Sequence, residues 1–577
     1  MSVLLLSPAN SPIAGNVIHP LWAESELRAL DSSEIKERSA LKKVTALQAS
    51  VSLMADAGRA VTMEILPLLV EHAARIAPAE LSILVAVGPR NNGGDGWVIA
   101  RLLREAGYGV SIFCAAASIY SPEWAVVAQE WVEANGLREV SLIEPRDSAY
   151  SREGLPQFLR QTRVLGPSEL ARCLESCTVF VDALLGIGQI APPREPIASV
   201  LHEARLRQAK SQLPLLLTIA VDVPTGLNAD TGVTFTPCLP AHYTCAIHGF
   251  KRGCALEPAR SACGSVVEVS IIPMATTAEC QLVSTIDPHA LPARRPDGHK
   301  GTYGHVMVIG GSQEMPGAPV LVAHAALRAG AGLVTKVEVP LSTSAALWPE
   351  IMRTQLSEGA VFGPEHVSEI QRYPRQPTSY VIGPGLGRHP GTFQFLEDLL
   401  ALLPKLSPEA AVILDADALA FLAAERTFEL CRGATILTPH YGEAARILEC
   451  ESAEVAADPF AAADKLVSLT GACVVLKGPG TIVAHYSRRY LIAAGTPYLA
   501  TAGSGDVLAG VIGAVLASDG GGSALAYRVA QAVLVHAQAG AAAAARRKGP
   551  IIAGDIIDQI GESIGTSVIN QYAAPKL

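Results

Sequence analysis

From residue 81 onward, short apolar runs rich in β-branched residues alternate with longer stretches of helical periodicity. The runs at 81–87, 110–115, 178–182 and 215–221 have almost no polar positions, the pattern of strands covered on both faces. The helical stretches between them then act as crossovers of a parallel sheet. The rhythm resumes at 305–309, 379–382, 411–414, 435–437 and 473–476. The expected fold class is therefore α/β, with two three-layer αβα domains. Ahead of the first strand, 34–60 reads as a helix closed by Gly58 as its C-cap. The alanine-rich 524–547 reads as one long buried helix. The polar, proline-containing stretch 144–168 reads as a surface insertion or long loop. A proline-rich linker at 284–297 sets the expected domains at 21–283 and 285–577.

Composition narrows the function classes. The 577 residues include 49% hydrophobic and 17% charged, a globular balance, and a formal charge of −9 offers no basic field for a nucleic acid. The 11 cysteines form no CxxC pair, which fits a reducing, cytoplasmic compartment better than a disulfide framework. The first twenty residues lack the basic start of a signal peptide and read as an extension. No apolar run reaches the length of a membrane span, so neither membrane nor nucleic acid is an expected partner.

The chemistry-bearing motifs sit just past the expected strands. In the first domain, NNGGDG (91–96) follows a strand and is read as a turn opening a helix at Trp97, its backbone amides free for a phosphate. DALLGIG (182–188) and VDVPTG (221–226) follow two further strands, so three strand ends converge on one crevice. Each aspartate taken singly also suits a helix cap or turn. Together with Asn92 they offer oxygen ligands alone, which suits a hard cation.

In the second domain KGTYGHVMVIGGS (300–312), GPGLG (383–387), LDADAL (414–419), LTPHYGE (437–443) and KGPGT (477–481) again end strands. The most specific motif is ATAGSGDVLAG (500–510): a glycine turn feeds a helix, its amides form an anion hole, and Asp506 at the helix mouth can act as a base. An aspartate there also serves as an ordinary N-cap.

The first set, with Gly249-Phe250-Lys251-Arg252-Gly253, resembles the NAD(P)H-hydrate epimerase family, whose domain is Rossmann-like. The resemblance implies that Asn91, Asn92, Gly93, Gly94 and Asp95, then Gly186, Ile187, Gly188, Gln189, Ile190, Ala191 and Pro192, and also Asp222 contact the hydrated nucleotide. It implies potassium on Asn92, Asp182 and Thr225. Arg90, Ile187 and Thr225 depart from the family's usual glycine, threonine and serine; Thr225 keeps the hydroxyl. Epimerisation at C6 of the nicotinamide ring breaks and remakes a carbon–oxygen bond, and Asp222 is the candidate acid and base for its proton transfers.

The second set is similar to the ribokinase-like enzymes, and within them resembles the ADP-dependent NAD(P)H-hydrate dehydratases. That resemblance implies ADP held by Lys477, Gly478, Pro479, Gly480, Thr481 and Gly505, and hydrated substrate facing Ala318, Gly387, His440 and Asp506. Hydroxide leaves poorly, so phosphoryl transfer from ADP to the C6 hydroxyl, with Asp506 taking its proton and Mg2+ as companion, would release phosphate, AMP and NAD(P)H. NADHX and NADPHX are thus the expected substrates, and homo-oligomers the family-level expectation. The rival reading is a ribokinase-like vitamin-precursor kinase carrying a non-catalytic N-terminal binding module.

Overall fold

The computed structural model describes residues 18–75, 81–115, 120–146, 155–210, 215–272, 278–291, 294, 296–340, 348–357, 359–431, 433–518 and 523–568. The chain divides into two compact units, over Pro20–Ala278 and Glu279–Leu577. The strands are β1 Ile18–Leu21, β2 Ile83–Val87, β3 Val110–Cys114, β4 Val140–Ile143, β5 Arg163–Leu165, β6 Val179–Ala183, β7 Leu217–Val221, β8 Tyr243–Ile247 and β9 Ser265–Val269. They continue as β10 Cys280–Val283, β11 His305–Ile309, β12 Leu333–Glu338, β13 Met352–Gln355, β14 Ser379–Ile382, β15 Ala411–Leu414, β16 Thr435–Leu437, β17 Cys473–Leu476, β18 Thr481–His485 and β19 Arg488–Ile492.

In the first unit the order β5-β4-β3-β2-β6-β7-β8-β9 is parallel throughout. Pleating separates the side chains of β2 between two cores: Ile83, Val85 and Val87 pack with the helices Ala46–Arg75, Asn91–Glu105 and Pro122–Asn135, whereas Leu84 and Ala86 pack with Pro167–Glu175 and Ile197–Gln208. That two-sided burial is why the strand reads as an unbroken apolar run. The chain winds from β2 out to β5, then restarts at β6 and winds the other way, which leaves a switch point between β2 and β6.

The second sheet has the order β1-β10-β19-β18-β17-β16-β15-β14-β11-β12-β13. From β17 to β13 neighbouring strands are parallel, β18 is antiparallel to both its neighbours, and the switch point falls between β11 and β14. The alanine-rich helix Leu525–Arg547 is long and largely buried, as the sequence predicts, and it packs with Ser504–Ala517 and Ala553–Val568.

Several expectations need correction. The N-terminal helix is two, Glu24–Lys42 and Ala46–Arg75, and Gly58 lies inside the second. A Cβ on Gly58 would stand 2.6 Å from Val98 Cβ, so this glycine permits close helix packing and caps nothing. The polar stretch 144–168 contributes the edge strand β5 and buried Leu155, Leu159 and Leu165; within it 147–154 lie outside the described residues. The linker is no spacer either. Cys280–Val283 is a strand of the second unit's sheet, Ile286, Ala290 and Leu291 are buried, and Asp287 is held by Gln531 (2.9 Å) and the Tyr527 hydroxyl (3.0 Å). Residues 292, 293 and 295 of that stretch, and 1–17 of the N-terminal extension, lie outside the described residues, and the extension ends in β1.

Candidate active sites

NNGGDG is not a turn: the helix begins at Asn91, six residues before the expected Trp97, so the glycines lie in its first turns. Their lack of a side chain allows contact. A Cβ on Gly93 would meet Gly88 O at 1.9 Å, one on Gly94 would meet Met54 Sδ at 2.4 Å, and one on Gly96 would meet Ala183 Cβ at 2.6 Å. Helix, β2 and the β6 loop are thereby drawn together at the switch point.

There Asp182, at the end of β6, accepts from the Thr225 amide (2.8 Å), the Thr225 hydroxyl (2.7 Å) and the Leu184 amide (3.2 Å). Burial pushes the Asp182 carboxyl up, only partly offset by those bonds. Asn92 donates from Nδ2 to Leu185 O at 3.0 Å, while its Oδ1 is buried and has no hydrogen-bond partner. Gly186 stands between motifs, since a Cβ on it would lie 3.4 Å from Asn92 Cβ and 3.5 Å from Asp222 Oδ2.

Asn92 and Gly186 open onto a cavity of about 810 Å³, the size of a cofactor site, which Asn91, Asn92, Asp95, all seven residues 186–192 and Asp222 line, whereas Asp182 and Thr225 do not line it. Gly93 and Gly94 do not line it. Gln189 is a brace, since its amide holds Gly186 O (3.0 Å) and the Gly226 amide (2.7 Å), whereas Ile190 lies on the rim, 82% exposed. Asp222 has a left-handed backbone (φ 70°), uncommon outside glycine. Its carboxylate is ion-paired with Lys251, which is 1% exposed and also donates to Ile247 O at 2.7 Å. Lys251 was visible in the Gly249–Gly253 motif, but its role as partner of Asp222 was missed. The helix Glu24–Lys42, also unassigned, contributes Arg28 and Asp31 to the lining, and Asp31 is 2.8 Å from His248 Nε2.

In the second unit the motifs end β11, β14, β15, β16 and β17. Lys477, directly after β17, reaches Asp415 Oδ1 at 3.1 Å and Glu443 Oε2 at 3.9 Å. Asp415 also accepts from the Thr438 hydroxyl at 2.7 Å. Burial lowers the Lys477 ammonium, but Asp415, Glu443 and Asp506 outweigh it and hold the group above its ordinary value. A Cβ on Gly505 would lie 3.4 Å from Lys477 Nζ, which brings the helix Ser504–Ala517 onto this cluster. In its first turn Asp506 accepts no hydrogen bond among the described residues. Burial and the negative Asp415 raise it to about 7, against the lowering effect of Lys477.

Other assignments sort differently. Lys477–Thr481 turns the chain from β17 into β18, with Gly478 packed where a Cβ would meet the Tyr441 hydroxyl at 2.4 Å; Pro479 and Gly480 complete the turn. Ala318 opens a helix, and a Cβ on Gly385 would lie 3.2 Å from its own. Gly387 (φ 89°) donates its amide to Asp417 at 3.0 Å. His440 caps the helix Tyr441–Leu448 through Nδ1 and is half exposed, a helix-capping position beside Lys477. Asp415 and Glu443 stood inside quoted motifs without an assignment. His536, 3.3 Å from the Ser504 hydroxyl and pushed down to about 4 by burial, lies in no motif at all.

Fold and sites define a two-unit α/β enzyme class, with one switch-point cavity and one acid–lysine cluster at a helix mouth. Residues 306–561 match the profile described as NAD(P)H-hydrate dehydratase, and residues 50–253 that of the YjeF-related protein N-terminus. The bifunctional NAD(P)H-hydrate repair enzyme Nnr of Moorella thermoacetica is 34% identical over 88% of this chain and 91% of its own length. Its namesake in Pyrobaculum aerophilum is 31% identical over 90% and 94%. An ADP/ATP-dependent NAD(P)H-hydrate dehydratase structure from Bacillus subtilis, 24% identical, covers 48% of this chain and 96% of its own with a TM-score of 0.39. The chain belongs to the family of bifunctional NAD(P)H-hydrate repair enzymes.

Proposed function

We propose that the two units carry out successive steps of one repair: the first interconverts the R and S hydrates of NADH and NADPH at C6, and the second dehydrates the S form at the expense of ADP. The observation that carries the second step is Asp506, a carboxyl that accepts no hydrogen bond among the described residues and is raised to about 7 at the mouth of the helix Ser504–Ala517, beside Lys477. A base near neutrality is matched to taking the hydroxyl proton as the phosphoryl group arrives. Lys477 and the amides of the first helical turn meet the phosphates, the residues at Gly387 and Ala318 border the hydrated ring, and AMP, phosphate and NAD(P)H leave. Asp415, whose Oδ2 accepts no hydrogen bond among the described residues, would hold the Mg2+ that offsets nucleotide charge.

In the first unit Asn92, Asp182 and Thr225 would hold K+. The unpartnered Asn92 Oδ1 beside two further oxygen donors fits a hard monovalent cation, which would tie the three loop ends together. Asp222, charge-balanced by Lys251, takes part in the proton transfers at the C6 oxygen. A reducing, cytoplasmic location belongs to the same proposal and suits the 11 free cysteines; no described helix is long and apolar enough to cross a membrane. Homo-oligomerisation belongs to the same proposal and is measured by light scattering. The decisive experiment incubates mixed R and S hydrates with the chain and ADP and follows the reduced-nicotinamide absorbance. Full recovery is expected, and a vitamin-precursor kinase would give none.

A further inference from the structure

The cavity of the first unit contains a second carboxyl with no partner. Asp95 lies in the helix Asn91–Glu105, lines the cavity, and is only 8% exposed. Among the described residues its side chain makes no hydrogen bond or ion pair, and Lys251 is engaged by Asp222 and Ile247 O. A buried carboxyl left without donors is costly as an anion and is kept where function needs it. Its surroundings agree: burial, then the negative Asp222 and Asp31, hold it well above the usual carboxylate range. Of the carboxyl groups lining this cavity, Asp222 stands beside an ammonium and Asp95 has none, contrasting settings of the kind that divide acid from base.

We propose that Asp95 is the proton donor of the epimerase reaction and that Asp222 is its proton acceptor. The inference rests on the epimerase reading above. Asp95 passes its carboxyl proton to the C6 hydroxyl; the C6–O bond breaks with its electron pair on oxygen, and water leaves. The ring nitrogen's lone pair forms the N1=C6 bond. A solvent water then adds to the other face of C6, the N1=C6 electrons return to nitrogen, and the proton released goes to the Asp222 carboxylate. Exchange with solvent through the cavity mouth restores both groups.

The test uses full-length Asp95→Asn, which keeps size but has no proton to give. Interconversion of the hydrates should fall about a hundredfold or more, while KM changes little. Incorporation of oxygen from ¹⁸O-labelled water at C6 should fall by the same factor, because bond breaking itself is slowed. Asp95→Glu should recover part of the rate. The unfolding temperature of Asp95→Asn should not drop, since a buried unpaired acid is removed. A near wild-type rate, or lost interconversion with oxygen exchange retained, overturns the role of Asp95. So does a marked loss of stability without rescue by glutamate. If the unmodified chain fails to interconvert the hydrates, the epimerase reading itself falls, a result distinct from these.

Discussion

The two sites use the same pair of chemical groups in opposite proportions. In the first, Lys251 serves one carboxylate, Asp222, and is buried against it. In the second, Lys477 is shared by Asp415 and Glu443, and its field reaches Asp506 as well. Asp506 gets no direct contact from that lysine, so burial first, and then the negative Asp415, raise it to about 7 against the lowering effect of Lys477. The contrast teaches that a lysine sets a neighbouring acid's chemistry by how its charge is divided. Where it is undivided, a second, unpaired carboxyl such as Asp95 is needed for the protonated role.

The largest expected effect is on the shared-lysine side. Asp506→Asn preserves the helix mouth and removes the base, so ADP-dependent loss of the S hydrate should fall about a hundredfold or more with ADP affinity little changed. Stopped-time product assays and ADP titration separate the two quantities. A rate fall traced wholly to lost ADP binding would make Asp506 an organiser of the anion hole and break the contrast.

A smaller effect is expected from Asp182→Ala. Epimerisation and its dependence on potassium should weaken, while conversion of pure S hydrate continues at the original rate, because Asp182 belongs to a separate compact unit. Asp182 is raised by burial, and a cation needs it ionised, so potassium affinity in the unmodified chain should fall as pH drops toward that raised value. Potassium titrations at several pH values measure this, and a pH-independent affinity would place the cation elsewhere.

How much of this was readable in the sequence depended on burial. Strands covered on both faces, such as β2, β6, β11 and β14, read directly as apolar runs. β12 did not, because Lys336 and Glu338 interrupt it; both are fully buried and ion-paired to each other, with Arg353 joining Glu338. β5, three residues with a charged start, is an edge strand paired on one side only, with β4. The motifs placed Asp222, Asp182, Thr225, Lys477 and Asp506 at strand ends or helix mouths. Partnership was illegible, since Lys251 to Asp222 and Lys477 to Asp415 are contacts of tertiary structure. The same applies to glycine. Gly58, Gly93 and Gly94 suggested a cap and a loop, but they lie inside helices where a neighbour leaves no room for a Cβ. Sequence spacing alone does not distinguish a glycine needed for its backbone angle from one needed for contact.

The smallest effect is thermodynamic, and it tests the division of charge without any catalysis. The folded-state value of Asp506, about 7, lies above the 3.8 of the free side chain, so the folded chain favours its protonated form. Its favourable contribution is complete below about pH 4 and is lost as pH rises through about 7, because the unfolded chain releases that proton more readily. The unmodified chain should therefore lose stability across this window by an amount on the order of a few kcal/mol at most. Asp506→Asn lacks the titration. Its apparent unfolding temperature should match the unmodified chain near pH 4 and exceed it by a few degrees near pH 8. If the difference between the two proteins is the same at both pH values, Lys477 supplies enough charge to keep Asp506 ionised, and the two sites would then divide their lysines alike.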